Sequence, residues 1–305
     1  MSVNKSLHTR KRSQIKKYIF SMSLSIMLIV TILSQTAAAY KTSWVGNTYG
    51  GADRKWMQNY IDEMYVDADG TCYTKSSWDE GGRDHGVYRD GNVLVEFDGK
   101  KKDFNGKSAG GWSISGTTIK GHGKTITDAG KPTALAVGRG KHKDLLLVAD
   151  NGARKQILFY DVSVDTPYIK YRIGAEGGIG ALFISTYDFP AAINAPAYPA
   201  GSYPPGVYHP YKLWGLSGVG MDDKGRLFIS TNENGTMIRC FKGVDGNWIL
   251  DWQIMGMCFV DNVFYDETTE ALDVYGVQEH YRMDYSKSGP GSEWTLYGYT
   301  LDSYK

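Results

Sequence analysis

Long amphipathic runs of 3.6-residue period are scarce in this chain, which leaves little room for a helical fold. Cysteine is nearly missing. Cys72, Cys240 and Cys258 make an odd number, and no CxxC or Cys/His spacing suggests zinc. Charge of one sign is lacking as well: 34 basic residues face 33 acidic ones, and six of the basic ones fall within the first 17 positions. Beyond that stretch 28 basic residues meet 33 acidic ones, a net of −5, with no basic stripe. That sign is wrong for a phosphate-backbone binder and argues against nucleic acid as a partner. A nucleophile elbow, an HExxH helix and a phosphate loop are all missing. Gly174–Gly180 (GAEGGIG) has no helix after it and reads as a turn.

What is present begins at the N-terminus. Lys5, Arg10, Lys11, Arg12, Lys16 and Lys17 precede an apolar run from Tyr18 to Leu33, which is followed by Ala37-Ala38-Ala39 and Tyr40. A basic segment, a short apolar core and a small-x-small site make a signal peptide, residues 1–39, cleaved near Ala39-Tyr40. The apolar run is short for a membrane span and contains Ser21, Ser23 and Ser25. The expectation is a secreted, extracellular domain over residues 40–305 with no stable membrane span after cleavage. In an oxidising compartment Cys240 and Cys258, the nearer pair in sequence, form a disulfide, or all three cysteines are buried apolar residues.

Thirty-seven glycines and 13% aromatics accompany short alternating runs broken by Gly, Asp, Asn and Lys, an all-β pattern. One stretch, Asp53–Met64, has helical spacing. Four segments share a plan of strand, acidic or glycine turn, strand, polar loop and strand: Met64–Gly91, Ala134–Asp161, Leu216–Gly243 and Asp261–Tyr285. Asp69-Gly70 and Lys224-Gly225 supply the positive-φ residue of a tight hairpin. Repeated meanders that cannot bury their faces singly stack radially, so the fold predicted is a β-propeller. Four blades are recognisable. Val66, Val137, Met221 and Tyr265, at equivalent places, are 71, 84 and 44 residues apart, so two spacings exceed a simple blade period. The alternating stretch GGWSISGTTIKGHGKTI within Glu96–Thr127 fits a hidden fifth blade; the other alternative is an incomplete part of a larger propeller. The second insert, Gly174–Tyr211, ends in a Pro-, Ala- and Tyr-rich loop.

The segment Pro132-Thr133-Ala134-Leu135-Ala136-Val137, continued by LLLVADNGARKQILFYD, resembles an NHL-type propeller repeat. The first unit resembles the Asp-x-x-Gly-x-x-Tyr strands of gluconolactonase-like propellers. The latter resemblance implies a divalent metal, Ca²⁺ or another, on the propeller axis, and here Glu63, Asp261 and Asn262 are the residues that fill such a set. Two loops combine imidazole, guanidinium and carboxylate: Trp78–His85, with Arg83, and Gln278–Asp284, with His280 and Arg282. His85 and His280 are the candidate general bases. Tyr208 and Tyr211 in the aromatic insert and Trp214 at the entry to the third unit, with Trp78, Arg83 and Arg282, are candidate ligand contacts through ring stacking and hydrogen bonds. The expected function is a secreted module that binds a glycan or other extracellular polymer, or a small sugar-like ligand, through one loop face. The alternative is a metal-dependent lactonase, or a hydrolase or lyase of sugar derivatives.

Overall fold

The computed structural model describes residues 41–44, 57–58, 60–79, 84–94, 102–181, 183–184, 201–202, 210–232, 235–244, 247–257, 260–276, 279–284 and 294–299. The first strand, β1 (Lys41–Trp44), is followed by sheet I: β2 (Glu63–Val66), β3 (Cys72–Lys75), β4 (His85–Arg89) and β5 (Asn92–Val93). Sheet II contains β6 (Ser108–Ala109), β7 (Trp112–Ser115), β8 (Thr118–Gly121) and β9 (Lys124–Ile126). Sheet III contains β10 (Pro132–Val137), β11 (Leu145–Asp150), β12 (Gln156–Asp161) and β13 (Tyr168–Ile173). A two-stranded piece, β14 (Phe183–Ile184) with β15 (Gly201–Ser202), precedes sheet IV. That sheet contains β16 (Leu216–Met221), β17 (Leu227–Asn232), β18 (Gly235–Val244) and β19 (Asn247–Met257), with β1 added in parallel along β19. Sheet V contains β20 (Val260–Asp266), β21 (Ala271–Gly276), β22 (Glu279–Asp284) and β23 (Trp294–Tyr299).

The architecture is a β-propeller, nearly all β. The innermost strands of sheets I to IV surround one axial cavity, and β16 packs against both β10 and β2. Contact between β16 and β2 is close because β16 reads Leu-Ser-Gly-Val-Gly-Met. A Cβ at Gly218 would lie 2.6 Å from Met64 Cβ, and one at Gly220 would lie 2.6 Å from Val66 Cβ. No larger residue fits this approach of two strands.

Each joint of the ring has its own hydrogen bonds. Between sheets I and II, Glu63 Oε2 accepts the Gly106 N–H at 2.6 Å, and Lys102 Nζ donates to Asp67 at 2.8 Å. Between II and III, the Leu135 N–H donates to the Gly106 carbonyl at 2.8 Å. Between III and IV, Thr133 Oγ1 donates to the Leu216 carbonyl at 2.9 Å. Between IV and I, the Asn232 amide accepts the Ile61 N–H at 2.9 Å and donates to the Ile61 carbonyl at 2.7 Å. Side chains fill the spaces between these bonds. Met64, Val66, Cys72 and Tyr88 of sheet I meet Phe228, Ile238, Cys240 and Trp252 of sheet IV in one cluster. Trp112 and Ile119 of sheet II meet Leu135, Leu146 and Leu158 of sheet III in a second. Phe159 of sheet III stacks on Trp248 of sheet IV at 4.7 Å.

Sheet II is the hidden blade of Glu96–Thr127, and it takes a place in the ring. Asp53–Met64 is not a helix over its described residues: β2 already begins at Glu63. Its helical spacing has another cause. Met57, Ile61 and Met64 are all buried in the cluster between sheets I and IV, so a non-helical lead-in repeats the spacing of an apolar helical face. Cys72 and Cys240 are free thiols in that same cluster, and burial raises both thiol pKa values. Cys258 and the leader 1–39 lie outside the described residues. Gly70 and Gly225 do hold the positive φ of their hairpins, 89° and 77°.

Candidate functional site

The strand ends of sheet I build a polar cleft. β2 starts with Glu63, preceded by Asp62, and beside it β3 ends with Lys75-Ser76. Antiparallel pairing of Glu63 with Lys75 sets these side chains at one end of the sheet. The cleft there has a volume of about 420 Å³ and is lined by Asp62, Glu63, Lys75, Ser76, Ser77 and Lys107. A neighbouring cleft of about 490 Å³ shares Lys75 and Ser76 and adds Asp84, His85, Lys102 and Asp103.

Most of these groups are fixed by local bonds. Asp62 accepts the Ser77 N–H, and the Asp62 N–H donates to the Lys75 carbonyl at 2.9 Å. Lys75 Nζ donates to the Phe104 carbonyl, lies 4.5 Å over the Phe104 ring and is 3.9 Å from Asp103. Ser76 Oγ donates to the Trp78 carbonyl at 2.6 Å, while the Trp78 N–H returns a bond of 3.3 Å to the same oxygen. This clamp holds the backbone of Trp78, which is 52% exposed. His85 Nδ1 lies 3.0 Å from an Asp84 carboxylate oxygen, without the geometry of a hydrogen bond. Lys102 sits over Tyr65 at 4.2 Å and Tyr73 at 4.7 Å. Burial pulls its pKa down, but the bond to Asp67 and the tyrosines carry it above the ordinary lysine value. The Lys102 bond in turn holds Asp67 below the ordinary carboxylate range.

The sequence-predicted residues fall in three places. Glu63 lines the first cleft and His85 the second, while Trp78 follows Ser77 just beyond β3. Lys75, Ser76 and Lys107, which line the same clefts, escaped notice in the sequence; the signal available was the polar end of the second strand opposite Glu63. Tyr211 and Trp214 precede β16. Tyr211 is fully buried, donates its hydroxyl to the Trp248 carbonyl at 2.8 Å and packs 5.6 Å from Phe241. This corrects its assignment as a ligand contact: the Tyr211 ring packs inward against sheet IV. Burial raises its phenol pKa. Trp214 is 36% exposed, with the Lys155 ammonium 4.7 Å over its ring. Lys155 is held there by the Asn151 carbonyl at 2.9 Å.

The third place is sheet V. Asn262 is exposed on β20 and pairs in register with Tyr275, which pairs with His280. Arg282 donates to Thr269 Oγ1 at 2.7 Å and to Asp273 at 3.4 Å. Of the expected metal set, Glu63 stands on a strand that lines the axis, with its carboxylate on the Gly106 N–H, while Asn262 on sheet V is not among the described residues that line it. Among the described residues no group of three or more His, Cys, Asp or Glu is placed to hold a metal. Arg83, Tyr208 and the side chains of Asp261 and His280 lie outside the described residues.

No protein-family model matches the sequence, and no curated protein matches it. Solved structures are similar at low identity. One is a gluconolactonase from Xanthomonas campestris, 13% identical over 75% of this chain with a TM-score of 0.26. This chain covers 58% of that enzyme's chain. Another is a functionally unknown protein from Desulfotomaculum acetoxidans, 10% identical over 79% of this chain and 76% of that one, with a TM-score of 0.28. A third is the extracellular domain of a hybrid two-component system protein from B. thetaiotaomicron, 9% identical over 84% of this chain and 30% of that one, with a TM-score of 0.22.

Proposed function

We propose that the chain is an exported binding module, built on an NHL- or gluconolactonase-like propeller, that takes a saccharide unit of an extracellular glycan into the cleft on sheet I. The observation that supports this reading most is Trp78, a half-exposed indole whose backbone is clamped by Ser76, a residue lining a cleft of both charge signs. A sugar presents an apolar C–H face and a rim of hydroxyls. An indole takes the first, and Lys75, Lys107, Asp62 and Ser77 offer donors and acceptors for the second. Local bonds of Asp62, Lys75 and Ser76 hold part of this set in place, which lowers the conformational entropy lost on binding. The leader peptide agrees with a partner outside the cell.

Trp78→Ala decides the matter. Retention on insoluble polysaccharide is expected to weaken about tenfold, the equivalent of roughly 1.4 kcal/mol, with an unchanged melting temperature. Unaltered retention overturns the reading, and a large loss of stability reassigns the indole to packing. Tyr211→Ala serves as the contrasting control, lowering stability because its ring is buried.

A further inference from the structure

The four innermost strands line a partly open cavity of about 170 Å³ on the propeller axis. Its apolar wall is formed by Met64, Val66, Leu135, Val219 and Met221, all buried, and Phe104, Asn105, Ser108 and the partly exposed Val137 complete the lining. A dry apolar cavity of about 150 Å³ takes up a benzene-sized guest, so this one has room for a six-membered ring.

One end of the cavity is not apolar. Arg139 follows β10 and reaches across to sheet I, where Nη2 donates to Tyr65 Oη at 3.4 Å and to the Val66 carbonyl at 3.3 Å. Nη1 donates to Asp223 at 3.3 Å. These bonds are longer than the roughly 2.7–2.9 Å of a strong charge-assisted pair. The Asp223 side chain is 64% exposed, and an ion pair that open to water holds its partner weakly. The guanidinium therefore stands at the mouth of an apolar chamber with a replaceable counter-ion. Val66 ends β2 and Glu63 begins it, so this mouth is at the opposite end of the strand from the Trp78 cleft.

We propose that the axial cavity binds a small carboxylate with an aromatic or branched aliphatic body. The body occupies the chamber between Met64 and Val219. The carboxylate takes the planar fork of Arg139 in two parallel bonds, displacing Asp223 into solvent. The site is separate from the glycan cleft and stands or falls independently of it.

The test titrates benzoate into the full chain by calorimetry, with benzyl alcohol as an uncharged probe of the same body. Saturable one-to-one binding of benzoate is expected in the millimolar range or tighter. Arg139→Gln is expected to weaken benzoate about tenfold while benzyl alcohol is unaffected. Ala136→Leu, which fills the chamber, abolishes both; Ala109→Leu replaces it if that variant fails to fold. Trp78→Ala keeps benzoate binding intact. Absence of saturable binding overturns the proposal. So does undiminished binding in the filled variant, an equal loss of both probes in Arg139→Gln, or loss of benzoate in Trp78→Ala.

Discussion

Phe159 and Phe264 each sit in mid-strand of a four-stranded antiparallel sheet, yet Phe159 is fully buried and Phe264 is 59% exposed. The two sheets share their plan. In sheets III, IV and V the first strand slips register near its start, between Pro132 and Ala134, Leu216 and Gly218, and Val260 and Asn262. The third strand slips against the fourth in the same three sheets. Local construction is thus the same, and burial is not. In β11 and β12 every residue is buried, whereas Asn262–Tyr265 of β20 are all exposed. The difference comes from neighbours: sheet III is packed between II and IV in the ring, while among the described residues none of sheet V lines the axial cavity. A strand in a propeller acquires its core from the next blade.

The largest test of this comparison substitutes the two phenylalanines. Phe159→Ala is expected to cost about 3–5 kcal/mol in denaturant unfolding, through lost burial and a cavity against Trp248. Phe264→Ala is expected to stay within about 0.5 kcal/mol. Equal effects would mean that sheet V is packed as tightly as the ring.

An intermediate effect is expected at the joint between sheets IV and I. Asn232→Ala leaves the Ile61 N–H and carbonyl without their side-chain partners, and about 1–3 kcal/mol is expected for such a loss. Thermal melting measures it. A neutral result would leave the Gly218 and Gly220 approach as the main closure.

The smallest effect is on pH dependence. Asp67 is held below its ordinary value of 3.8 chiefly by the Lys102 bond, and Asp69 chiefly by the Thr71 N–H. A carboxylate with a lowered folded pKa contributes stability that is present above the unfolded value and is lost as pH falls through the folded one. The melting temperature is therefore expected to hold above about pH 4 and to fall below it. Asp67→Asn should lower the neutral melting temperature slightly and flatten the acid slope. An unchanged slope would show that the Lys102 strap contributes nothing to closure between sheets I and II.

The strand-turn-strand units and the hairpin glycines Gly70 and Gly225 were legible because their causes are local: alternation in the strand and positive φ in the turn. Sheet II was legible only as alternation, since its strands are two to four residues long. Too little sequence remains in them to repeat the motif of sheets III and IV. At the site, Glu63, Trp78 and His85 could be read from polar strand ends and loops. Lys107 could not, because it reaches the cleft from another blade.

By itself the sequence determined the all-β character, the repeating unit, the turns and the radial stacking, because apolar periodicity and glycine placement act within a few residues. Tertiary structure decided which sheets surround the axis, that Tyr211 packs inward, that Lys155 covers Trp214, and that Arg139 stands at the mouth of an apolar chamber. Those outcomes depend on contacts between residues many positions apart, such as Asn232 with Ile61 and Gly220 with Val66. Strand propensity sets which face is apolar, and the neighbouring blade decides whether that face meets protein or water.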